Sequence, residues 1–248
     1  MKSTKNSVSE TGHAKNIANF QDIISFCRGY GDKYNPIKEE LKIVNLEILY
    51  QNAIQKYADT QNKKTTFSNA TSQRANEFKN LGILATKIIN SLAVSETNPL
   101  MLKDAKSYNK KLQGITKSKT EISESKEEEE LPTKTISTSQ LSYDSKINHF
   151  SNLLQVLKES VAYSPNEEDL KVITLQNKLF SLQQKNTFLI HSYTDYSNAR
   201  IERDKVLYDP LLGLCQISKE IKQYIKSVFG ATSPQYKQIS KILFTKRK

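Results

Sequence analysis

Apolar residues recur at alternating spacings of four and three along two long stretches of the chain. One stretch runs from Leu46 to Leu81 and the other from Leu175 to Leu207. This heptad spacing is typical of long α-helices that pack side by side with a left-handed supercoil. A helix of roughly forty residues is about 60 Å long, at 1.5 Å per residue. The pattern therefore predicts an all-α, elongated helical bundle with coiled-coil character.

The two halves of the chain repeat each other when each residue is compared with the residue 129 positions later. Tyr34 and Pro36 fall on Tyr163 and Pro165, and thirteen of the forty-one positions from 34 to 74 are identical. Unrelated sequences would share about two or three. The sequence therefore predicts two tandem copies of one multi-helix unit.

Each copy has the same predicted helix order. A first helix (about 14–28 and 143–161) precedes a long helix that begins near 37 and 166. A third helix (about 81–94 and 211–229) and a short one after Pro99 or Pro234 complete the copy. The predicted organisation is a disordered tail (1–13), repeat 1 (14–115), an acidic, Ser/Thr-rich flexible linker (116–142), repeat 2 (143–244) and a basic tail (245–248). The linker has low hydrophobicity and a run of glutamates, a composition typical of disorder.

Several short motifs carry a further likeness. They include the run from Gly29 to Gly31, the run from Ser197 to Arg200, and the run from Phe229 to Gln238. Through these motifs the chain resembles a family of uncharacterised bacterial two-repeat helical proteins. The resemblance covers nearly the whole chain except the linker, and it implies a fold but no activity.

The net charge of +11 is unevenly distributed. Residues 1–115 carry +7, residues 116–142 carry −2 and residues 143–248 carry +6. Basic lobes can bind phosphate-rich partners, but the absence of a long basic run favours an ordinary solvated lysine surface. The candidate contact residues for an anion or nucleic acid lie near the C-terminus: Lys219, Lys222, Lys226, Lys237, Lys241 and Arg247.

Arg74 and Arg203 occupy equivalent positions among the apolar heptad residues, accompanied by Asn69 and Asn198. A charge at such a position must be paired or solvated, because burying it alone is very costly. We expect these four residues to be structural, with the arginines held by carboxylates or backbone carbonyls of neighbouring helices. The alternative is a paired anion-binding position inside the bundle.

Catalytic and metal-binding patterns are missing from the sequence. The histidines form neither the Glu-x-x-His pairs of di-iron bundles nor a zinc-protease motif. His191, Asp195 and Glu202 share one helical face, but their counterparts in repeat 1 are Asn62, Thr66 and Gln73, so a solvated face is favoured. Cys27 and Cys215 are interpreted as small buried apolar residues in a reducing compartment. We therefore expect no enzyme activity, cofactor or metal.

The sequence as a whole favours a non-enzymatic helical scaffold or binding protein that binds a protein partner or itself. The alternative is a nucleic-acid-associated protein with a basic helical surface. No run of eighteen apolar residues occurs, so no membrane span is predicted. A polar N-terminal stretch without an apolar core predicts no secretory signal, and the expected location is cytoplasmic.

Overall fold

The computed structural model describes residues 10–114 and 141–245, and within these residues the chain is helical and contains no β-strand. This confirms the predicted all-α class. The α-helices are α1 (Glu10–Gly29), α2 (Ile43–Phe78), α3 (Leu81–Val94), α4 (Pro99–Gln113), α5 (Tyr143–Glu159), α6 (Val172–Tyr208), α7 (Leu214–Phe229) and α8 (Pro234–Ser240). Residues 10–13, assigned to the tail by prediction, belong to α1. The rest of that tail, nearly all of the linker and residues 246–248 lie outside the described residues.

Helices α4 and α8 each begin at a capping residue followed by proline. Asn98 Oδ1 accepts the N–H of Leu100 at 2.9 Å, and Ser233 Oγ accepts the N–H of Tyr236 at 3.1 Å. The next residue, Pro99 or Pro234, lacks the N–H that a helix start leaves unpaired. These starts agree with the predicted helices after the two prolines.

The long helices begin six residues later than predicted, at Ile43 and Val172. Pro36 and Pro165 lie in loops before them and do not start a helix. A 3₁₀ turn precedes each long helix, and the residues that flank it, Lys38 and Lys42 in the first half, have extended backbone with ψ of 121° and 140°. A helix cannot run through such residues, and this delays its start.

A tyrosine closes each of these loops in the same way. The hydroxyl of Tyr34 donates to the carbonyl oxygen of Leu41 at 2.7 Å, and that of Tyr163 donates to the carbonyl oxygen of Leu170 at 2.9 Å. Both tyrosines are buried. The hydroxyl therefore satisfies a backbone carbonyl that the 3₁₀ turn leaves without a helical partner.

The helices fold into two compact units, and each unit takes residues from both halves of the chain. Unit 1 contains residues up to Phe67 together with those from Ser192 onward, whereas unit 2 contains Ser68–His191. The boundaries of the units therefore differ from those of the predicted repeats. Repeat 1 contributes α1 and most of α2 to unit 1, and it contributes α3 and α4 to unit 2.

The core of unit 1 forms where α1 and α7 pack against the first part of α2. Phe20, Ile23 and Cys27 of α1 are fully buried, as are Ile221 and Ile225 of α7. The spacing of three or four residues places each set on one helical face. Each large apolar side chain removed from water in this way stabilises the fold by about 1.5–3 kcal/mol.

The core of unit 2 is built from α3, α4, α5 and the first part of α6. Ile88 and Leu92 of α3 pack in one cluster with Phe150 and Leu153 of α5 and Leu182 of α6, and all five are fully buried. None of the helices in the described residues is long and apolar enough to cross a membrane.

Several predicted heptad positions of α6 are buried, among them Leu189, Arg203 and Leu207, but one position between them is exposed. Ser192 is 4% exposed, whereas the predicted position, Tyr193, is 56% exposed. On α2, Ala70 is buried in place of the predicted Thr71. Both changes occur where a helix passes from one unit to the other, and each part of the helix buries the face that its own neighbours cover.

Candidate functional site

A cavity of about 710 Å³ opens in unit 2 between α3 and the loop that leads to the 3₁₀ turn Glu168–Leu170. This volume lies in the range of small-molecule sites. Helix α3 supplies one wall, and the loop residues 162–167 supply the other. The lining residues are Lys87, Asn90, Ser91, Val94, Ser95, Ala162, Tyr163, Ser164, Pro165, Asn166, Glu167, Asp169 and Leu170.

Tyr163 lies at the base of the cavity and is only 7% exposed. Its hydroxyl donates to the carbonyl of Leu170 at 2.9 Å, and Ser91 of α3 lines the same cavity. Burial raises the pKa of the Tyr163 hydroxyl to about 12. Tyr163 is therefore a neutral phenol at physiological pH and offers a ring face, not a charge.

Three charged residues surround the mouth of the cavity. Lys87 Nζ lies 3.3 Å from Asp169 Oδ2, and Glu167 lines the same rim. Both partners of the ion pair are 58% exposed, so the pair contributes little to stability. Two carboxylates and one ammonium group leave this rim with a formal charge of −1.

In unit 1, the side chain of Tyr224 on α7 contacts the loop that precedes α2. Its ring meets Tyr34 edge to face, with centroids 5.4 Å apart and an interplanar angle of 89°. The backbone N–H of Asn35 donates to the Tyr224 hydroxyl at 3.2 Å. Pro36 of this loop is buried, whereas Pro165 in unit 2 is only half-buried.

An ion pair lies at the same end of unit 1, between Lys38 Nζ and Glu220 Oε2 at 2.6 Å. The hydrogen bond between the two groups raises the pKa of Lys38 and lowers that of Glu220. The acid lies on the helix and the base on the loop, which is the reverse of the Lys87–Asp169 pair.

Arg74 is half-buried in unit 2 and is held by neutral groups. Its Nη1 donates to Asn186 Oδ1 at 3.0 Å, and its guanidinium carbon lies 3.8 Å from the centroid of the Tyr143 ring. Asn186 in turn donates to Asp144 Oδ1 at 2.7 Å. The expected carboxylate, Asp144, is therefore present, but it contacts the arginine only through the side-chain amide of Asn186.

Arg203 is 2% exposed in unit 1 and pairs with a carboxylate. Its Nε and Nη2 donate to Asp204 Oδ1 at 3.0 and 2.8 Å. This acid is the next residue on α6. Adjacent residues of a helix diverge, but the long arginine side chain folds back to its neighbour. No pattern of helical spacing predicts this pair.

The companion residues Asn69 and Asn198 do not lie among the buried heptad positions. Both are exposed, and the neighbouring Ala70 and Ala199 are buried in their place. Thr60, itself fully buried, donates its hydroxyl to the carbonyl of Ala199 at 3.1 Å. The small alanine side chain permits this close approach of α2 and α6 within unit 1.

The C-terminal lysines do not form one free surface. Lys222 Nζ donates to the carbonyl of Ile242 and lies 5.6 Å from the centroid of the Phe244 ring. Burial lowers the pKa of Lys222. Lys226 lies over the ring of Tyr236 at 5.9 Å. Lys219, Lys237 and Lys241 are exposed, and Arg247 lies outside the described residues.

The final described segment is fastened to α1 by side-chain amides. Asn16, which is fully buried, donates to the carbonyl of Thr245 at 2.9 Å and accepts its N–H at 2.8 Å. Asn19 donates to the carbonyl of Leu243 at 2.6 Å. Together with the contact from Lys222, these bonds explain why the basic residues near the C-terminus are partly engaged in structure.

Two of the three groups weighed as possible catalytic machinery, Asp195 and Glu202, form ion pairs. Asp195 pairs with Lys63 at 3.8 Å, and Glu202 pairs with Lys56 at 3.5 Å. Burial raises the pKa of the Cys27 thiol to about 12 and that of Cys215 to about 11. A thiol that stays protonated is a poor nucleophile. In residues 10–114 and 141–245, no cluster of His, Cys, Asp and Glu is arranged to hold a metal ion.

Comparisons with protein-family models, with curated proteins and with solved structures find no match for this chain. The geometry alone therefore points to the cavity in unit 2. Sequence reasoning missed it because its lining residues come from two distant segments, around 87–95 and 162–170, and form no motif. The available signal was the contrast between Ser91 and Tyr224, which appears only when α3 and α7 are aligned at their first residues.

Proposed function

We propose that this chain is a non-enzymatic helical binding protein and that its binding site is the cavity in unit 2. The cavity carries the proposal, because unit 1 fills the same place with its own Tyr224 while unit 2 leaves it open. Filling an equivalent space with an internal side chain is the simpler route to stability. The cavity volume lies in the range of ligand-binding clefts, in which a few polar groups orient the ligand.

The proposal includes a duplication of one helical unit, as the sequence predicts. The matching hydrogen bonds of Tyr34 and Tyr163 to carbonyls seven residues later support it. So do the two 3₁₀ turns, each followed by a lysine that pairs with a glutamate three residues earlier. The resemblance to two-repeat bacterial proteins and the coiled-coil pairing of the long helices belong to the same proposal.

The nucleic-acid alternative has less support. Lys222 and Lys226 are engaged with Ile242 and Tyr236, and this leaves fewer free cations on α7. A cytoplasmic location remains part of the proposal. It is supported by Cys27 and Cys215, which are both free thiols, as expected in a reducing compartment.

The test compares ligand retention by two variants of the full chain. Ser91→Tyr introduces into unit 2 the side chain that fills unit 1, and Ser107→Tyr adds the same side chain at an exposed position of α4. Each protein is incubated with a small-molecule extract of cells, dialysed and measured by native mass spectrometry. We expect a bound compound on wild type and on Ser107→Tyr, and none on Ser91→Tyr. Retention by all three proteins, or by none, contradicts the proposal.

A further inference from the structure

The helices α3 and α7 are equivalent residue by residue when their first residues, Leu81 and Leu214, are aligned. Ile88 then falls on Ile221 and Leu92 on Ile225, and all four of these later residues are buried. The offset is 133 residues, four more than the offset of 129 that relates the preceding loops. The connection between α6 and α7 has five residues against two between α2 and α3, and α6 ends one residue later than the offset of 129 gives; together these account for the difference.

Under this alignment, Ser91 of α3 and Tyr224 of α7 occupy equivalent positions of the two helices. Each lies beside the tyrosine that closes the neighbouring loop, because Ser91 and Tyr163 line the same cavity and the ring of Tyr224 meets that of Tyr34. Unit 1 therefore contains a phenol group seated in the place that is open in unit 2. The contacts of Tyr224 therefore indicate which ligand group the cavity of unit 2 can bind.

The contacts of Tyr224 in unit 1 have counterparts in unit 2. The edge-to-face ring is Tyr34 in unit 1 and Tyr163 in unit 2. The N–H that donates to the phenol oxygen belongs to Asn35 in unit 1, and the loop offset of 129 assigns the same N–H to Ser164, which lines the cavity. A hydroxylated aromatic ring fits both groups at once, since the ring packs on Tyr163 and the oxygen accepts a hydrogen bond.

The rim adds a preference for charge at the other end of the ligand. Glu167 and Asp169 stand beside Lys87, so the mouth is acidic overall. An ammonium group there is attracted and a carboxylate is repelled. The cavity volume of about 710 Å³ exceeds that of one ring, which leaves room for such a substituent.

We infer that the cavity of unit 2 binds a 4-hydroxyphenyl group, seated on Tyr163 and the Ser164 N–H as Tyr224 is seated on Tyr34 and the Asn35 N–H. This inference rests on the proposed function, because it names the ligand class of the same site. The group can belong to a small phenolic amine or to a tyrosine residue of a peptide, and the two sources share this chemistry.

The experiment titrates the full chain with four probes by calorimetry and by NMR. Tyramine has the hydroxyl and the ammonium group, phenethylamine lacks the hydroxyl, 4-hydroxyphenylacetate reverses the charge, and N-acetyl-tyrosinamide represents a peptide tyrosine. We expect tyramine to bind one site and phenethylamine to bind roughly tenfold more weakly, the value of one neutral hydrogen bond. 4-Hydroxyphenylacetate is expected to bind more weakly than tyramine. N-acetyl-tyrosinamide binding more tightly than tyramine would identify a peptide as the source.

Two variants locate the binding. Ser91→Tyr should abolish it, while Ser107→Tyr should leave it unchanged. Tyr224→Ser should open the equivalent place in unit 1 and raise the stoichiometry from one site to two, and circular dichroism confirms that this variant is folded. If Tyr224→Ser unfolds, Ser91→Tyr and phenethylamine still decide the outcome.

Some results overturn the inference and leave the proposed function intact. If a non-phenolic compound is retained from the extract and lost in Ser91→Tyr, the site binds a ligand of another class. Equal binding of tyramine and phenethylamine, or tyramine binding that survives Ser91→Tyr, also overturns it. If neither the extract nor any probe binds, both the inference and the proposed function fail.

Discussion

The guanidinium group of Arg74 lies over the ring of Tyr143, with its central carbon 3.8 Å from the ring centroid. This contact joins the last part of α2 to the start of α5 within unit 2. A double-mutant cycle of Arg74→Ala and Tyr143→Leu should give a coupling energy of about 0.5–1 kcal/mol, as expected for a partly exposed cation–π pair. Urea denaturation supplies the four free energies of unfolding. A coupling energy near zero would show that the two side chains are merely adjacent.

Arg203 should matter more than Arg74, because it is almost fully buried and pairs with Asp204. Arg203→Ala leaves that carboxylate without this partner, and the free energy of unfolding should fall by about 3 kcal/mol or more. The double variant Arg203→Met, Asp204→Leu should recover most of the loss. The comparison is made by thermal unfolding with and without phosphate. A single variant that melts like wild type but no longer gains stability from phosphate would favour the anion-site interpretation.

The loop tyrosines give a test of the equivalence of the two halves. Tyr34→Phe and Tyr163→Phe each remove one buried hydrogen bond to a backbone carbonyl, and each should lower the free energy of unfolding by about 1 kcal/mol. Tyr193→Phe is the control, since this side chain is 56% exposed. Urea denaturation of the three variants makes the measurement. A large effect at one loop tyrosine and none at the other would argue against equivalent roles.

His149 should make the protein sensitive to mild acid. It is 5% exposed on α5, and neither ring nitrogen has a hydrogen-bond partner among the described residues. Burial, and secondarily the charge of Lys111, lower its pKa from 6.5. The unfolded chain therefore takes up a proton near pH 6.5 while the folded chain does not. The contribution of neutral His149 to the free energy of unfolding is therefore fully present above pH 6.5. It decreases below that pH, by at most about 1.4 kcal/mol per pH unit.

The measurement for His149 is the free energy of unfolding between pH 7.5 and pH 5. His149→Leu should flatten the decline over this range. His191→Leu changes an exposed histidine and should leave the decline as in wild type. If both variants follow the wild-type curve, His149 is not the group responsible.

Much of the fold could be predicted from the sequence because the spacing of apolar residues indicates where helices form. The all-helical class follows from periodicity, and the comparison of Tyr34 with Tyr163 follows from sequence identity. The sequence does not show which helices pack against each other, because periodicity indicates which face of α2 or α6 is buried but not which helix covers that face. The exchange of helices between the two units was therefore beyond the sequence, as was the pairing of Arg203 with its own neighbour.

The candidate site could not be recognised in the sequence because an insertion between α6 and α7 changes which residues of α3 and α7 are compared. An ungapped offset of 129 pairs Ser91 with Glu220, whereas the helices themselves pair it with Tyr224. The extra residues form a fixed turn between α6 and α7, in which Asp209 Oδ1 accepts the N–H groups of Leu211 and Leu212, each at 2.9 Å. A Cβ at Gly213 would lie 2.4 Å from the backbone nitrogen of Asp209, so only glycine fits there.

Each compact unit is built from both halves of the chain, so the stability of the fold depends on whether the two halves are covalently connected. Each unit needs chain from both sides of residues 115–140, so cutting that segment leaves two pieces that must associate to fold. A protease site inserted there should convert folding from a first-order to a second-order process. The cut protein should then lose about 1.4 kcal/mol of stability per tenfold dilution, whereas the intact chain should be insensitive to concentration. In the intact chain, the connection acts as a tether that fixes the effective concentration of one half around the other.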